Sequence, residues 1–226
     1  MDISFTLIAI LIPCLVIAIV FHEVAHGLAA KALGDTTASD RGRLSLNPIK
    51  HVDPVGTLLV PGVLLLAGGP AFGWAKPVPV NANRLDNPRY GMMAVAAAGP
   101  GMNFVLAAIG AVALGVTAGM VGWPTGVSDS VVFTALEMFI LLNVFLGLFN
   151  LLPIPPFDGS HIVGGLLPGG LRRQWYKLQR IGTVLLLGVI AASWMFGTGW
   201  IETIILPPVE WALGYYYALA GLFDGL

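Results

Sequence analysis

Residues 22 to 26 read His22-Glu23-Val24-Ala25-His26. On a helix, positions i and i+4 lie on one face, so both imidazoles can bind a single metal ion. Glu23, next to them, can reach a water on that ion as a general base. Zinc suits such a set, and it lowers the pKa of a bound water to about 7, which makes hydroxide available at neutral pH. With four histidines and four glutamates in 226 residues, the pattern is expected by chance in about one chain in a thousand. The competing reading is three buried polar residues that bond neighbouring helices. However, three ionisable groups in one apolar helix are costly in hydrocarbon, which marks them as functional.

A catalytic zinc takes three protein ligands and a water, so one ligand is missing from this pair. The candidates are His51, His161, Glu137, Asp53 and Asp158. Asp158 is favoured because it ends the run Asn150-Leu-Leu-Pro-Ile-Pro-Pro-Phe-Asp158-Gly159, in which prolines stop a helix. Non-helical backbone at membrane depth is tolerated where it lines a cavity, and a carboxylate on such a bend can ligate. Taken alone, Asp-Gly is more often a turn. His51 and His161 read as solvated loop residues, and Glu137 as facing a neighbouring helix or the opposite membrane surface. Asn103 and Asn150 fit helix-bridging amides and functional groups equally well.

The elements that carry these residues are apolar. The chain is 57% hydrophobic and 10% charged with a net charge of −1, where soluble domains carry about 25% charge. Too little polar surface exists to cover a soluble fold, so the class is an all-α polytopic membrane protein, and nothing suggests nucleic-acid binding. Cys14 lies in an apolar run and reads as a packing residue. The first apolar run lacks a preceding Lys or Arg, unlike a cleaved signal peptide. It reads as a helix from residue 3 to about Leu33, with Gly34 as its stop. Further uncharged runs at 90 to 128, between Asp129 and Asp158 (broken by Glu137) and at 181 to 201 fit spans. Residues 201 to 223, with Pro207-Pro208 and Glu210, fit a kinked sixth span or an interfacial helix. The count is therefore five to six transmembrane helices. All of residues 1–226 read as one domain, with a catalytic core of about 1–165 and C-terminal helices at about 178–223.

Two segments differ from these. Residues 54 to 75 hold three prolines and five glycines, which suits a re-entrant segment better than a straight helix. Lys76-Pro-Val-Pro-Val-Asn81 reads as a short β edge strand. Such a strand could hold an unwound substrate by β-augmentation, which makes Lys76, Val78 and Val80 candidate substrate-binding residues. If 54 to 75 crossed the membrane, Asp158 would fall about 30 Å from the histidines, too far for a shared ion. If it returns, all eleven basic residues lie on one side, the cytoplasmic one by the positive-inside rule, and the turn at 119–128 lies on the other.

In its motifs the chain resembles the site-2 protease family of intramembrane zinc metalloproteases. Four elements match in order: His22-Glu23-Val24-Ala25-His26, Gly99-Pro100-x-x-Asn103, Asn150-Leu-Leu-Pro153-x-Pro155, and Asp158-Gly159. The resemblance implies one zinc held by His22, His26 and Asp158, with Glu23 activating water. It implies that Asn150 helps hold the substrate backbone, and it leaves the role of Asn103, also a candidate substrate contact, less settled. It further implies single-pass membrane proteins as substrates, cut near the cytoplasmic side of the cell membrane. Phe157 stands where the family usually has Leu. No PDZ-like or nucleotide-binding module is visible, as in a compact subgroup with the segment Gly73-Trp-Ala-Lys-Pro-Val-Pro-Val80. The other classes open to this sequence are a membrane metal transporter and an inactive adaptor that binds membrane segments.

Overall fold

A computed structural model describes residues 5–66, 68, 73–123 and 130–224. Helix α1 runs Phe5–Ala32. Gly34, at φ +99°, ends it in a conformation that other residues rarely adopt. A four-residue helix α2 (Thr37–Asp40) and a 3₁₀ turn at Pro48–His51 follow. A π-helical turn, Pro54–Leu59, runs into α3, Val60–Leu66. A 3₁₀ turn at Ala82–Arg84 then leads to α4, Pro88–Val121. The start of α4 is fixed by Pro88 in the first turn and by Asn87, whose side chain accepts from the N–H groups of Arg89 and Tyr90. The remaining helices are α5 (Val131–Asn150), α6 (Asp158–Leu166), α7 (Gly169–Gln179), α8 (Gly182–Phe196) and α9 (Trp200–Gly221).

Helix α4 is the central post, packed against α1, α5, α6 and α9. Ala107, Ala111 and Leu114 of α4 meet Ile140 and Val144 of α5 and Val209 of α9 in the largest buried cluster. Small residues on α4 let the neighbouring backbones approach, as helices packed in lipid require. Large apolar side chains point outward all along the bundle: Ile12 and Ile17 on α1, Val105 and Ile109 on α4, Val131 and Val132 on α5. A surface of this kind needs lipid to cover it.

Among the described residues three helices, α1, α4 and α5, are long and apolar enough to cross a membrane. The bent pair α7 and α8, at 60°, raises the count to four if it is one span. Length and composition thus account for three to four of the five to six spans expected from the sequence. Helix α9 has the length, but Glu210, Pro207, Pro208 and three consecutive tyrosines dilute its apolar character. It packs on α4 and α5 instead of standing apart.

Residues 54–66, 68 and 73–75 are the described part of the segment expected to re-enter. The Trp74 N–H donates to the Gly56 carbonyl at 3.0 Å, and the Thr57 hydroxyl donates to the Trp74 carbonyl at 2.9 Å. The described residues at the two ends of the segment therefore lie side by side. The thirteen residues Pro54–Leu66 rise only about 20 Å as a helix, short of the hydrocarbon thickness. Residues 124–128 of the expected outer turn lie outside the described residues.

The expected β edge strand is corrected. Residues 76–81 are extended, but no strand occurs among the described residues. A strand needs a backbone partner along its length. Here the N–H groups of Val78 and Asn81 donate to carboxylates instead.

Candidate metal centre

His22 and His26 lie one turn apart on the α1 face that meets α4, and both are buried. Asp158 opens α6, just after the proline-rich bend that closes α5. Phe157 anchors that bend, its ring 4.3 Å from the ring of Phe149. Gly159 has backbone of Leu151 where a Cβ would sit, so only glycine lets α6 start this close to the end of α5. Asp158-Gly159 is thus the first turn of a helix docked on its predecessor.

The three side chains converge. Nε2 of His22 and Nε2 of His26 are 3.0 Å apart. Oδ2 of Asp158 lies 3.2 Å from the first and 3.3 Å from the second. Each imidazole is held from outside the cluster: Nδ1 of His22 lies 2.6 Å from Oδ1 of Asn103, and Nδ1 of His26 lies 2.7 Å from the Val95 carbonyl. Both partners can only accept, so both Nδ1 atoms carry the proton. In the neutral rings the two Nε2 lone pairs then face each other and a carboxylate oxygen. Such an arrangement is repulsive unless a cation lies between. Ligands about 2.0–2.1 Å from a tetrahedral zinc lie about 3.3 Å from one another, which these separations fit. Locking the outer nitrogen of a ligating histidine is also the usual support of a zinc site.

Asn103 belongs to that support. It has no solvent exposure, and its Nδ2 donates to the Ala18 carbonyl at 3.2 Å and to Oδ1 of Asn143 at 3.0 Å. Both N–H donors of its amide are used inside the protein. Asn143 was not singled out in the sequence. The available signal was an amide in a helix as apolar as α5.

The other candidates are elsewhere. The Glu23 carboxylate, half-buried, accepts from the Val78 N–H at 2.8 Å. Val78 is buried, Val80 packs beside Ala30, Leu85 and Val95, and Lys76 is exposed. Asn150 is half-buried at the end of α5, its Nδ2 donating to the Leu146 carbonyl at 3.0 Å. His51 is not solvated: it is buried, and its Nε2 lies 2.8 Å from the Ser45 carbonyl. His161 is not in a loop but half-buried in α6, one turn beyond Asp158, where burial lowers its pKa. Asp53 caps the turn after it by accepting from the N–H groups of Val55 and Gly56. Glu137 is exposed on α5. Among the described residues, only His22, His26 and Asp158 form a group able to hold a metal ion.

A family model described as "Peptidase family M50" matches residues 118–190, the stretch holding Asn150 and Asp158. Two curated relatives bear the name "Putative zinc metalloprotease". YwhC of Bacillus subtilis (strain 168) is 40% identical over 187 residues, 80% of this chain and 80% of its own. Rip2 of Mycolicibacterium smegmatis is 31% identical over 186 residues, 77% of this chain and 65% of its own. No solved structure gives a significant match.

Proposed function

The chain belongs to peptidase family M50, and we propose that it is an intramembrane protease whose site is His22, Glu23, His26 and Asp158. Its substrates are single-pass membrane proteins cut in or near their transmembrane segments, and its surroundings are the lipid bilayer. The observation that carries this reading is the convergence of three ligand atoms, with both histidines locked from behind. Zinc, one ion per chain, supplies a Lewis acid there when bound.

The protein's own groups then have separate tasks. His22, His26 and Asp158 hold the ion. Glu23 takes a proton from the attacking water at its carboxylate and returns it to the leaving amine nitrogen. Asn103 keeps His22 oriented. Asn150, at the end of α5, holds substrate backbone, and the exposed Lys76 contacts substrate as well.

His22 lies ten residues, about 15 Å, before the end of α1, which supports a site within the hydrocarbon layer. The contacts of Gly56 and Thr57 with Trp74 support one side for Arg41, Arg43 and Lys50 and for Lys76, Arg84 and Arg89. By the positive-inside rule that side is the cytoplasm, with the cell membrane as location. Cysteines at Ser45, Asn83 and Gln174, in a Cys14→Ala background, then react with an impermeant reagent from one side only; labelling of 45 and 83 from opposite sides defeats the orientation.

The functional test uses the purified protein in detergent with a single-pass reporter. The expected result is cleavage that stops on zinc chelation and returns with added zinc. Zinc binding without cleavage favours a membrane metal-binding or transport protein, and reporter binding without zinc or cleavage favours an adaptor.

A further inference from the structure

We infer that the extended segment Lys76–Asn81 is a strap that orients the Glu23 carboxylate through the backbone N–H of Val78. The inference rests on the reading of Glu23 as the general base. The sequence Lys-Pro-Val-Pro-Val spaces its donors, because Pro77 and Pro79 have no N–H. Val78 therefore carries the single backbone donor of residues 77 to 79. It donates to Oε2 of Glu23 at 2.8 Å.

The strap is tied at both ends, independently of Glu23. The Lys76 N–H donates to the His51 carbonyl at 2.8 Å, and the Arg43 guanidinium donates to the Lys76 carbonyl at 2.8 Å. At the far end the Asn81 N–H donates to Asp35 at 2.6 Å, and Asp35 is fully buried. Between the ties the Val78 side chain packs against Gly27, one turn beyond Glu23 on α1. The two prolines fix their own φ, so the N–H is presented by a stiff backbone. A glutamate side chain has three rotatable bonds whose freedom must be lost before it can transfer protons repeatedly in one geometry. The strap removes that freedom through one carboxylate oxygen and leaves the other for the proton.

This changes the expected part of the segment in recognition. The Val78 N–H is occupied by Glu23, so it is not free to pair with an added substrate strand. Val78 acts by positioning.

The test compares Val78→Pro, which deletes the donor and suits an extended backbone, with Val78→Ala, which keeps it. The zinc-loaded proteins are assayed on the single-pass reporter. The expected result is a kcat for Val78→Pro about ten-fold or more below that of Val78→Ala, at equal zinc content and equal KM. A raised KM at equal kcat assigns the donor to substrate and overturns the inference, as does equality of both constants. A second measurement does not depend on a strap variant that folds. Amide exchange at Val78, isolated between two prolines, is slow in the wild type and about ten-fold or more faster in Glu23→Ala; equal rates overturn the inference. Normal turnover by Glu23→Gln defeats the base assignment itself. Loss of turnover in Glu23→Gln with unaffected Val78→Pro defeats the strap alone.

Discussion

Asn103 holds His22: the histidine Nδ1–H donates to Oδ1 of the asparagine at 2.6 Å, and the asparagine has no solvent exposure. The bond sets both the tautomer and the ring angle of a proposed zinc ligand. Asn103→Ala should therefore weaken zinc binding by about 10- to 100-fold, measured by competition with a chelator. Asn143→Ala, which removes the partner of the Asn103 amide, should shift it the same way by less. Unchanged zinc affinity in Asn103→Ala removes the residue from this role.

Gly99 is where α4 presses on the imidazoles. A Cβ there would lie 2.7 Å from Cε1 of His22 and closer still to Nε2 of His26, whereas at Gly101 nothing lies within 4 Å. Gly99→Ala should displace the rings and lose most of the bound zinc with helix content retained. Gly101→Ala should keep its zinc. Zinc content by elemental analysis, beside circular dichroism, checks both, and a zinc-loaded Gly99→Ala contradicts the packing described.

Asp158→Ala should leave the two histidines one ligand short and lower bound zinc and activity together. His161→Ala and His51→Ala should retain zinc, because neither ring joins the cluster. Full zinc occupancy in the Asp158 variant transfers the third ligand to another residue.

The parts of this site that were legible in the sequence are the local ones. The His22 and His26 pairing follows from helical spacing alone, and the proline-broken end of α5 pointed to Asp158. The expectation that 54–75 re-enters rests on charge and on the distance a shared ion allows, and the contacts of Gly56 and Thr57 with Trp74 support it. What escaped depends on contacts across the bundle. Nothing local to Asn143 says that it meets Asn103, and no side-chain pattern reveals that the Val95 carbonyl holds His26. His51 read as solvated because its neighbours are polar, yet Ser45 and the strap bury it. The Pro-Val-Pro-Val alternation suggested a strand, but pairing needs a partner strand, and the donors of Val78 and Asn81 meet Glu23 and Asp35 instead.

The tie at Asp35 should make the strap pH-dependent. Burial alone would raise this carboxyl, but the Thr37 hydroxyl, the N–H groups of Asn81 and Thr37, and the charge of Arg84 outweigh it and hold the pKa below the ordinary range. A group depressed in the folded state stabilises above its unfolded pKa, near 4, and loses that contribution as pH falls through the folded value. Protection of the Asn81 amide should therefore be constant at neutral pH and decline below about pH 4. In Asp35→Asn the protection should be lower throughout and lose this dependence. An unchanged profile in the variant contradicts the assignment.

Glu23 is assigned as the base and not as a ligand, so activity and metal binding must separate at this residue. The most direct measurement is the rate of reporter cleavage by purified Glu23→Gln with its zinc content measured on the same sample. The account predicts about one zinc per chain and a rate at least about 100-fold below wild type. Turnover near the wild-type rate, with zinc bound, would contradict it.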